Sequence, residues 1–502
     1  MAQTDEIVRS DAAAAQATRA TTRGFYHFKA LAPSVCQVTY LLQVKLGGSI
    51  PKAIMASRTK RVLGAVQEMQ DKFERKGAVV DAEMRSAFPP PPPLAELNIE
   101  QKLVVESCRY LESEEGGEWE PLPSSSPFID MWRKHTPAKK GERSVAIGKG
   151  TAVIDCPARD AAQFMFSYTS RERMRIDSEE GNPARLRQRA NSAHDQVFAT
   201  VKKMPFPLNN REFVARQLCT GDANGDLLVT IVPLDEVIDY GLKHRTVRGV
   251  SRALMRFTPF GESQCQVTYI QYLDANGRIP TFVVESKIPE ALGAVGELRD
   301  EFQRDDEIDK LERDQLAKVI KEEPQTYTAE EDILINKVHA KLGMLEWGHF
   351  EELESPDHLV NMCKISIEGG GVGRASVAVD ASIEECAAWE IAKMNREQAK
   401  DAGSLERSFT KTNDHHGVYH VVYDFKIPGF QQREFLSSLV WGQQGDKLVV
   451  LYDDVEHVDF PVSPSLVRAT TTIYCEYVGE QSECISLTSS STCTHSRLVH
   501  LP

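Results

Sequence analysis

The pentapeptide Cys36-Gln37-Val38-Thr39-Tyr40 recurs 229 positions on as Cys265-Gln266-Val267-Thr268-Tyr269, and the offset then holds without a gap. Gly48-Ser49-Ile50-Pro51 falls on Gly277-Arg278-Ile279-Pro280, and Leu63-Gly64-Ala65-Val66 on Leu292-Gly293-Ala294-Val295. Phe73 and Arg75 fall on Phe302 and Arg304. Chance does not place four ungapped matches in one register. A third copy is more divergent. Arg211-Glu212-Phe213 recurs as Arg433-Glu434-Phe435, Val247-Arg248 as Val467-Arg468, and Cys265 as Cys484. Asp155, before an Ala-rich stretch ending at Phe164, recurs as Asp380 before one ending at Trp389, and Trp119 has a counterpart in Trp347. A period of this length is a domain, not a solenoid unit.

The copies are unequal. The sequence divides into a disordered N-terminus (1–17), the C-terminal part of a unit (18–88), a Pro-rich linker (89–95), a complete unit (96–324), a unit lacking its last strand and helix (325–488) and a disordered Ser/Thr-rich tail (489–502). Pro89 to Pro93 reads as an extended polyproline spacer, with a ligand for a Pro-binding module as the alternative. About 18–85 carries the parts that the third copy lacks. An open edge strand and a bare apolar face are costly, so this segment is expected to dock onto the third copy. Truncation of a longer sequence is the other explanation.

Within the middle copy, 97–112 reads as a helix, 144–155 as a strand and 159–174 as a helix. Strand-like runs follow at Phe213–Leu218, Leu227–Val232, Arg248–Phe257 and Cys265–Leu273. A closing helix is expected over 286–304, with Leu292, Val295, Leu298 and Phe302 on one face. Copy one repeats that stripe as Leu63, Val66, Met69 and Phe73. After the second boundary, Thr328-Ala329-Glu330-Glu331 has capping-box spacing. The fold class is therefore α+β: a curved antiparallel sheet gripping a long C-terminal helix, repeated in tandem.

The middle copy resembles the START family, the steroidogenic acute regulatory protein-related lipid-transfer module. The resemblance rests on Pro207-x-x-x-Arg211-Glu212-Phe213-Val214, Val247-Arg248, the strand Cys265 to Tyr269, and Asp274-x-x-Gly277-x-Ile279-Pro280 before the closing helix. Glu212 stands where the family usually has Asp, and Asn276 where it has Lys. The resemblance implies a helix-grip fold with a lipid-sized tunnel under the closing helix. It implies that Gln217, at the family's usual Arg position, meets the lipid's polar group. Acidic partners of such an Arg stand upstream, and here His194-Asp195 is the nearest candidate. Tyr269 either lines the tunnel or is ordinary core, and Leu292, Val295, Leu298 and Phe302 have the same two readings.

Other chemistry is missing from the sequence. It holds no H-E-x-x-H, G-x-S-x-G or G-x-x-x-x-G-K-[ST] motif. Gly369 to Gly373 reads as a hairpin turn between strands rather than a phosphate loop. His415, His416 and His420 lie on a strand, where positions i and i+4 are ~13 Å apart, too far to share one metal ion. No catalytic residue, metal or cofactor is expected. A net charge of −14 argues against nucleic acid and against broad adhesion to anionic lipid. No run approaches the ~20 apolar residues of a membrane-spanning helix. Ten scattered cysteines, none in C-x-x-C, read as reduced thiols of a cytoplasmic protein.

The function these readings support is an intracellular lipid-binding or lipid-transfer protein holding a sterol, phospholipid or fatty-acyl ligand, with transient membrane contact. The alternatives are an interaction scaffold whose cavity has filled in, and a hydrolase or cyclase on the same fold.

Overall fold

Asp195–Lys202 reads D-Q-V-F-A-T-V-K and shows no clean alternation, yet seven of its eight residues are buried. A strand covered on both faces loses the period-two signal, so a pattern reading misses this one. The computed structural model describes residues 21–45, 59–112, 118–124, 126–135, 146–206, 208–240, 246–276, 288–322, 326–343, 350–367, 370–400, 403–445, 447–479 and 493–501. The expected disorder of 1–17 lies outside them. The chain divides into two compact units, Met1–Gln303 and Arg304–Pro502.

The first unit opens with a hairpin of β1 (Thr21–Ala32) and β2 (Val35–Lys45), paired only with each other. Two helices follow, α1 (Ala65–Lys72) and α2 (Gly77–Ser86), then α3 (Ile99–Arg109). The main sheet contains β3 (Glu120–Leu122), β4 (Asp130–His135), β5 (Ala146–Ile154), β6 (Ala184–Ser192), β7 (Asp195–Lys202), β8 (Asn210–Gly221), β9 (Leu227–Pro233), β10 (Thr246–Arg248), β11 (Val250–Phe260) and β12 (Gln264–Asp274). Its order is β3-β4-β5-β12-β11-β9-β8-β7-β6, antiparallel apart from the short parallel pairing of β10 with β8.

Helices cover both faces of this sheet. On one face, α4 (Ala158–Phe166), α6 (Ile288–Ala291) and α7 (Ala294–Phe302) enclose the main core. On the other, Val105 and Cys108 of α3 pack on Leu218, Leu228 and Leu254. The single helix expected over 159–174 is two, because the Ser170 hydroxyl accepts from Arg173 N and starts α5 (Arg171–Glu179) afresh. The closing helix is likewise interrupted at Leu292-Gly293, and it ends at Phe302, where Gln303 turns extended.

The second unit contains α8 (Asp305–Glu322), α9 (Ala329–Gly343), α10 (Ile383–Ile391) and α11 (Arg396–Ala399). Its strands are β13 (Glu351–Leu353), β14 (Asn361–Ile367), β15 (Gly370–Val379), β16 (Ser404–Lys411), β17 (His416–Tyr423), β18 (Arg433–Gln444), β19 (Lys447–Asp454), β20 (Val467–Ala469), β21 (Thr472–Gly479) and β22 (Cys493–Leu501). The order is β13-β14-β15-β22-β21-β19-β18-β17-β16, the order of the first sheet with β22 in the place of β12. The tail read from composition as disordered thus contains a strand, paired to β15 and β21 along its length. Two open strand edges template a third strand whatever its composition. The edge expected to be open is closed from within the second unit.

The motifs that recur between the copies hold equivalent joints. Glu212 accepts from Arg248 Nε (3.1 Å) and Tyr240 Oη (2.8 Å), tying β8 to β10. Glu434 accepts from Arg468 Nε (2.9 Å) and pairs with His420 Nε2 (3.0 Å), tying β18 to β20. A second joint is invisible as a motif. The buried Asp81 of α2 accepts from the backbone N–H of Arg171 (3.0 Å) and Glu172 (2.9 Å), capping α5. The buried Asp309 of α8 accepts likewise from Arg396 (2.9 Å) and Glu397 (2.8 Å), capping α11. A carboxylate on two free N–H groups at a helix start satisfies orphan donors and opposes the helix dipole. So α2, read as the end of copy one, clamps the body of the first unit. α8, read as the end of the middle copy, clamps the body of the second.

The proline run is anchored rather than free. Pro92 O accepts from Gly221 N (2.9 Å) and Thr220 Oγ1 (2.7 Å), and Pro89 O meets His194 Nε2 (3.0 Å). Proline has no N–H to offer, but its carbonyl remains a full acceptor.

The capping box at Thr328 forms, and its Glu331 does more. This buried carboxylate also meets Asn413 Nδ2 (2.6 Å), His415 Nε2 (3.2 Å) and His416 Nδ1 (3.2 Å), pinning α9 to the β16–β17 turn. Burial opposes its ionisation. The donors from Thr328, Asn413 and His415 outweigh burial and hold its pKa down at about 2, against an ordinary 4.5. A depressed folded-state pKa contributes stability above the unfolded value, and that stability is lost as pH falls toward the folded one. Thermal melts of the chain should therefore show the second unit weakening between pH about 4.5 and about 2. Glu331→Gln should cost about 1–3 kcal/mol at neutral pH and flatten that pH dependence.

Candidate ligand site under the closing helix

The α7 stripe needs a surface it can approach closely. β5 supplies one with Gly148 and Gly150, which face the closing helix. A Cβ on Gly148 would lie 2.6 Å from Ile288 Cγ2, and one on Gly150 3.6 Å from Val295 Cγ2. Leu292, Val295 and Leu298 are buried in the main core, and Phe302 packs edge-on against Phe164 with ring centroids 5.9 Å apart. Tyr269 on β12 stands opposite Gly150 in register, and its ring is buried in the same core. Burial pushes its phenol well above the ordinary range.

Gln217 on β8 is also buried, but its amide is engaged by protein. Its Oε1 accepts from Gln196 Nε2 (2.7 Å), and its Nε2 donates to Met165 O (3.0 Å). Gln196 donates as well to Phe166 O (2.5 Å). The two amides thus satisfy the last carbonyls of α4, which have no partner inside the helix. The five apolar and aromatic site residues come together under α7, while Gln217 holds the end of α4. The suggested acidic partner, Asp195, instead forms an ion pair with Arg216 Nη2 (2.7 Å).

The polar group that does enter this core was missed in the sequence. Arg173 of α5 is buried. Its Nη1 donates to Met165 O (3.3 Å), its Nη2 lies 3.9 Å from Glu297 Oε2 on α7, and its guanidinium stands over Phe164 at 5.6 Å. Its Nε has no hydrogen-bond partner among the described residues, and neither do Gln163 Oε1 nor Arg185 Nη2. Burial, then the charge of Arg185, lowers the pKa of Arg173. Arg185 lies over Tyr168 at 3.9 Å and reaches Asp177 at 3.4 Å, a carboxylate that Lys202 also claims at 3.0 Å. Buried polar atoms left unpaired cost about 1–3 kcal/mol each, and a guanidinium in an apolar core calls for an acceptor. Arg171, Arg173 and Arg175 read alike as an exposed charged helix. Only the Ser170 cap fixes the phase that turns Arg173 and Asp177, four residues apart, inward.

The histidines noted in the sequence each meet a carboxylate, Glu331 or Glu434. Among the described residues no cluster of His, Cys, Asp or Glu is placed to hold a metal ion, and no helix is long and apolar enough to cross a membrane. Cys36, Cys108, Cys156, Cys219, Cys265, Cys363, Cys386 and Cys475 are free thiols.

No family model matches the chain, and no curated protein matches it. Among solved structures it is similar to the human StarD13 (DLC2) lipid transfer and protein localization domain, at 19% identity and TM-score 0.32 over 41% of this chain and 98% of that one. Human STARD10 is similar at 17% identity and TM-score 0.32 over 43% of this chain and 84% of that one. The di-domain ARO/CYC BexL from the BE-7585A biosynthetic pathway is similar at 8% identity and TM-score 0.20, over 71% of this chain and 85% of that one. At these scores the likenesses carry no argument about activity.

The close seat of the helix has a direct consequence. Gly148→Ala should destabilise the chain by about 1–3 kcal/mol in denaturant titration, because the added methyl displaces Ile288 and Leu292. Gly373→Ala, on β15, should cost less than about 0.5 kcal/mol, since nothing lies within 4 Å of its Cβ position.

Proposed function

We propose that this chain is an intracellular lipid-binding or lipid-transfer protein built of tandem helix-grip units. Its first unit takes an amphipathic lipid between the sheet and the closing helix. The observation that carries this reading is Arg173, a buried guanidinium with an unpartnered Nε among aromatic and aliphatic side chains. An anionic head, phosphate or carboxylate, supplies the acceptors it lacks, and the acyl body takes the place of core contacts beneath α7. This favours a phospholipid or fatty acid over a sterol. Free thiols suit a reducing compartment. The occupied amide of Gln217 favours a second reading, a scaffold whose interior is already filled.

Native mass spectrometry of the full chain with lipid extraction separates the two. The lipid reading expects one anionic lipid per chain, lost in Arg173→Met, with the melting temperature of the lipid-free protein unchanged or raised. Removing a poorly paired buried charge does not destabilise a core. A chain that carries no lipid and takes up neither fatty acid nor phospholipid contradicts this reading and supports the scaffold.

A further inference from the structure

The stripe that closes the first unit exists twice, and only one copy of it is buried. Val295 and Leu298 of α7 are buried. Their counterparts Val66 and Met69 lie on α1, which has no buried residue. Phe302 packs on Phe164, whereas its counterpart Phe73 is 76% exposed.

The second unit has the matching surface. β15 holds the place of β5 in its sheet, and α10 follows β15 as α4 follows β5. Among the described residues no helix lies across β15 as α6 and α7 lie across β5. Counting from the paired Asp155 and Asp380, Gly148 corresponds to Gly373. The first meets the closing helix, and the second faces open space. Phe164, 4% exposed beneath Phe302, corresponds to Trp389, which is 43% exposed.

Chain order says whose helix belongs there. α7 closes the first unit, and two residues later α8 begins and clamps the body of the second through Asp309. In the same way α1 is followed after four residues by α2, which clamps the body of the first unit through Asp81. A closing helix thus belongs to the unit before the one its successor clamps. Among the described residues, the sheet left without such a helix is that of the second unit. We propose that α1 of one copy of this chain seats across β15 and α10 of a second copy, with Phe73 on Trp389, Leu63 over Gly373 and Val66 over Ala375, as Leu292 and Val295 lie over Gly148 and Gly150. The strand seat is already filled by β22, so the helix alone is exchanged. Such a contact is heterologous and propagates head to tail unless a ring closes.

Sedimentation velocity of the full chain over a wide concentration range tests this. The wild type should associate beyond the monomer as concentration rises. Phe73→Glu and Trp389→Glu should each weaken association by about tenfold or more while leaving circular-dichroism melts of the dilute protein unchanged. Mixed together, the two variants should form a capped dimer, because one retains an intact acceptor face and the other an intact α1. Should either variant misfold, Leu63→Glu at an exposed position and Gly373→Val, whose Cβ position meets nothing within 4 Å, replace them. A wild type that stays monomeric at every concentration overturns the proposal, including the case in which α1 seats within its own chain. So does association that neither substitution weakens, or variants that are monomeric alone and remain so when mixed.

Discussion

Everything in the first unit depends on a helix lying close against a sheet. The main core forms because β5 offers Gly148 where Ile288 and Leu292 arrive, so at that point the helix approaches nearer than a side chain on the strand would allow. Burial of these aliphatic groups contributes about 1.5–3 kcal/mol per side chain. That contribution exists only while the helix is seated. The same helix roofs the buried Arg173, so the packing that stabilises the unit also defines its candidate ligand site. A ligand entering there must displace or reseat α7, which couples binding to the least continuous part of the fold, the broken segment at Leu292-Gly293.

A second constraint keeps the helices in order. Asp81 and Asp309 each spend a buried carboxylate on two backbone N–H groups at a helix start. These joints fix α2 and α8 on the bodies that follow them in the chain. Of the helices just before these joints, α7 closes the first sheet and α1 has no buried residue. In both places the recurring stripe ends a few residues before the clamp helix that follows it.

Much of this was legible in the residues. The α+β class, the antiparallel strands from Phe213 to Leu273 and the apolar stripe of α7 follow from periodicity and from the repeat. The capping box at Thr328 follows from spacing alone. What stayed hidden has physical causes. β7 is buried on both faces and shows no alternation. β22 reads as a polar tail because its pairing is imposed by the edges of β15 and β21. Asp81 looks like any surface acid until its partners' backbone is placed. Arg173 sits between two similar arginines, and only the phase of α5 distinguishes it. Gln217 was expected to meet a ligand, and its amide is consumed at the end of α4.

The central claim is that one sequence stripe is seated in α7 and unseated in α1. Hydrogen exchange followed by mass spectrometry reads this directly on the full chain. In dilute protein, amides of 294–302 should exchange far more slowly than those of 65–72. Raising the concentration should protect 65–72 together with 370–379 and 383–391. Equal protection of the two stripes at the lowest concentration, or protection of 65–72 that is independent of concentration, would contradict the account.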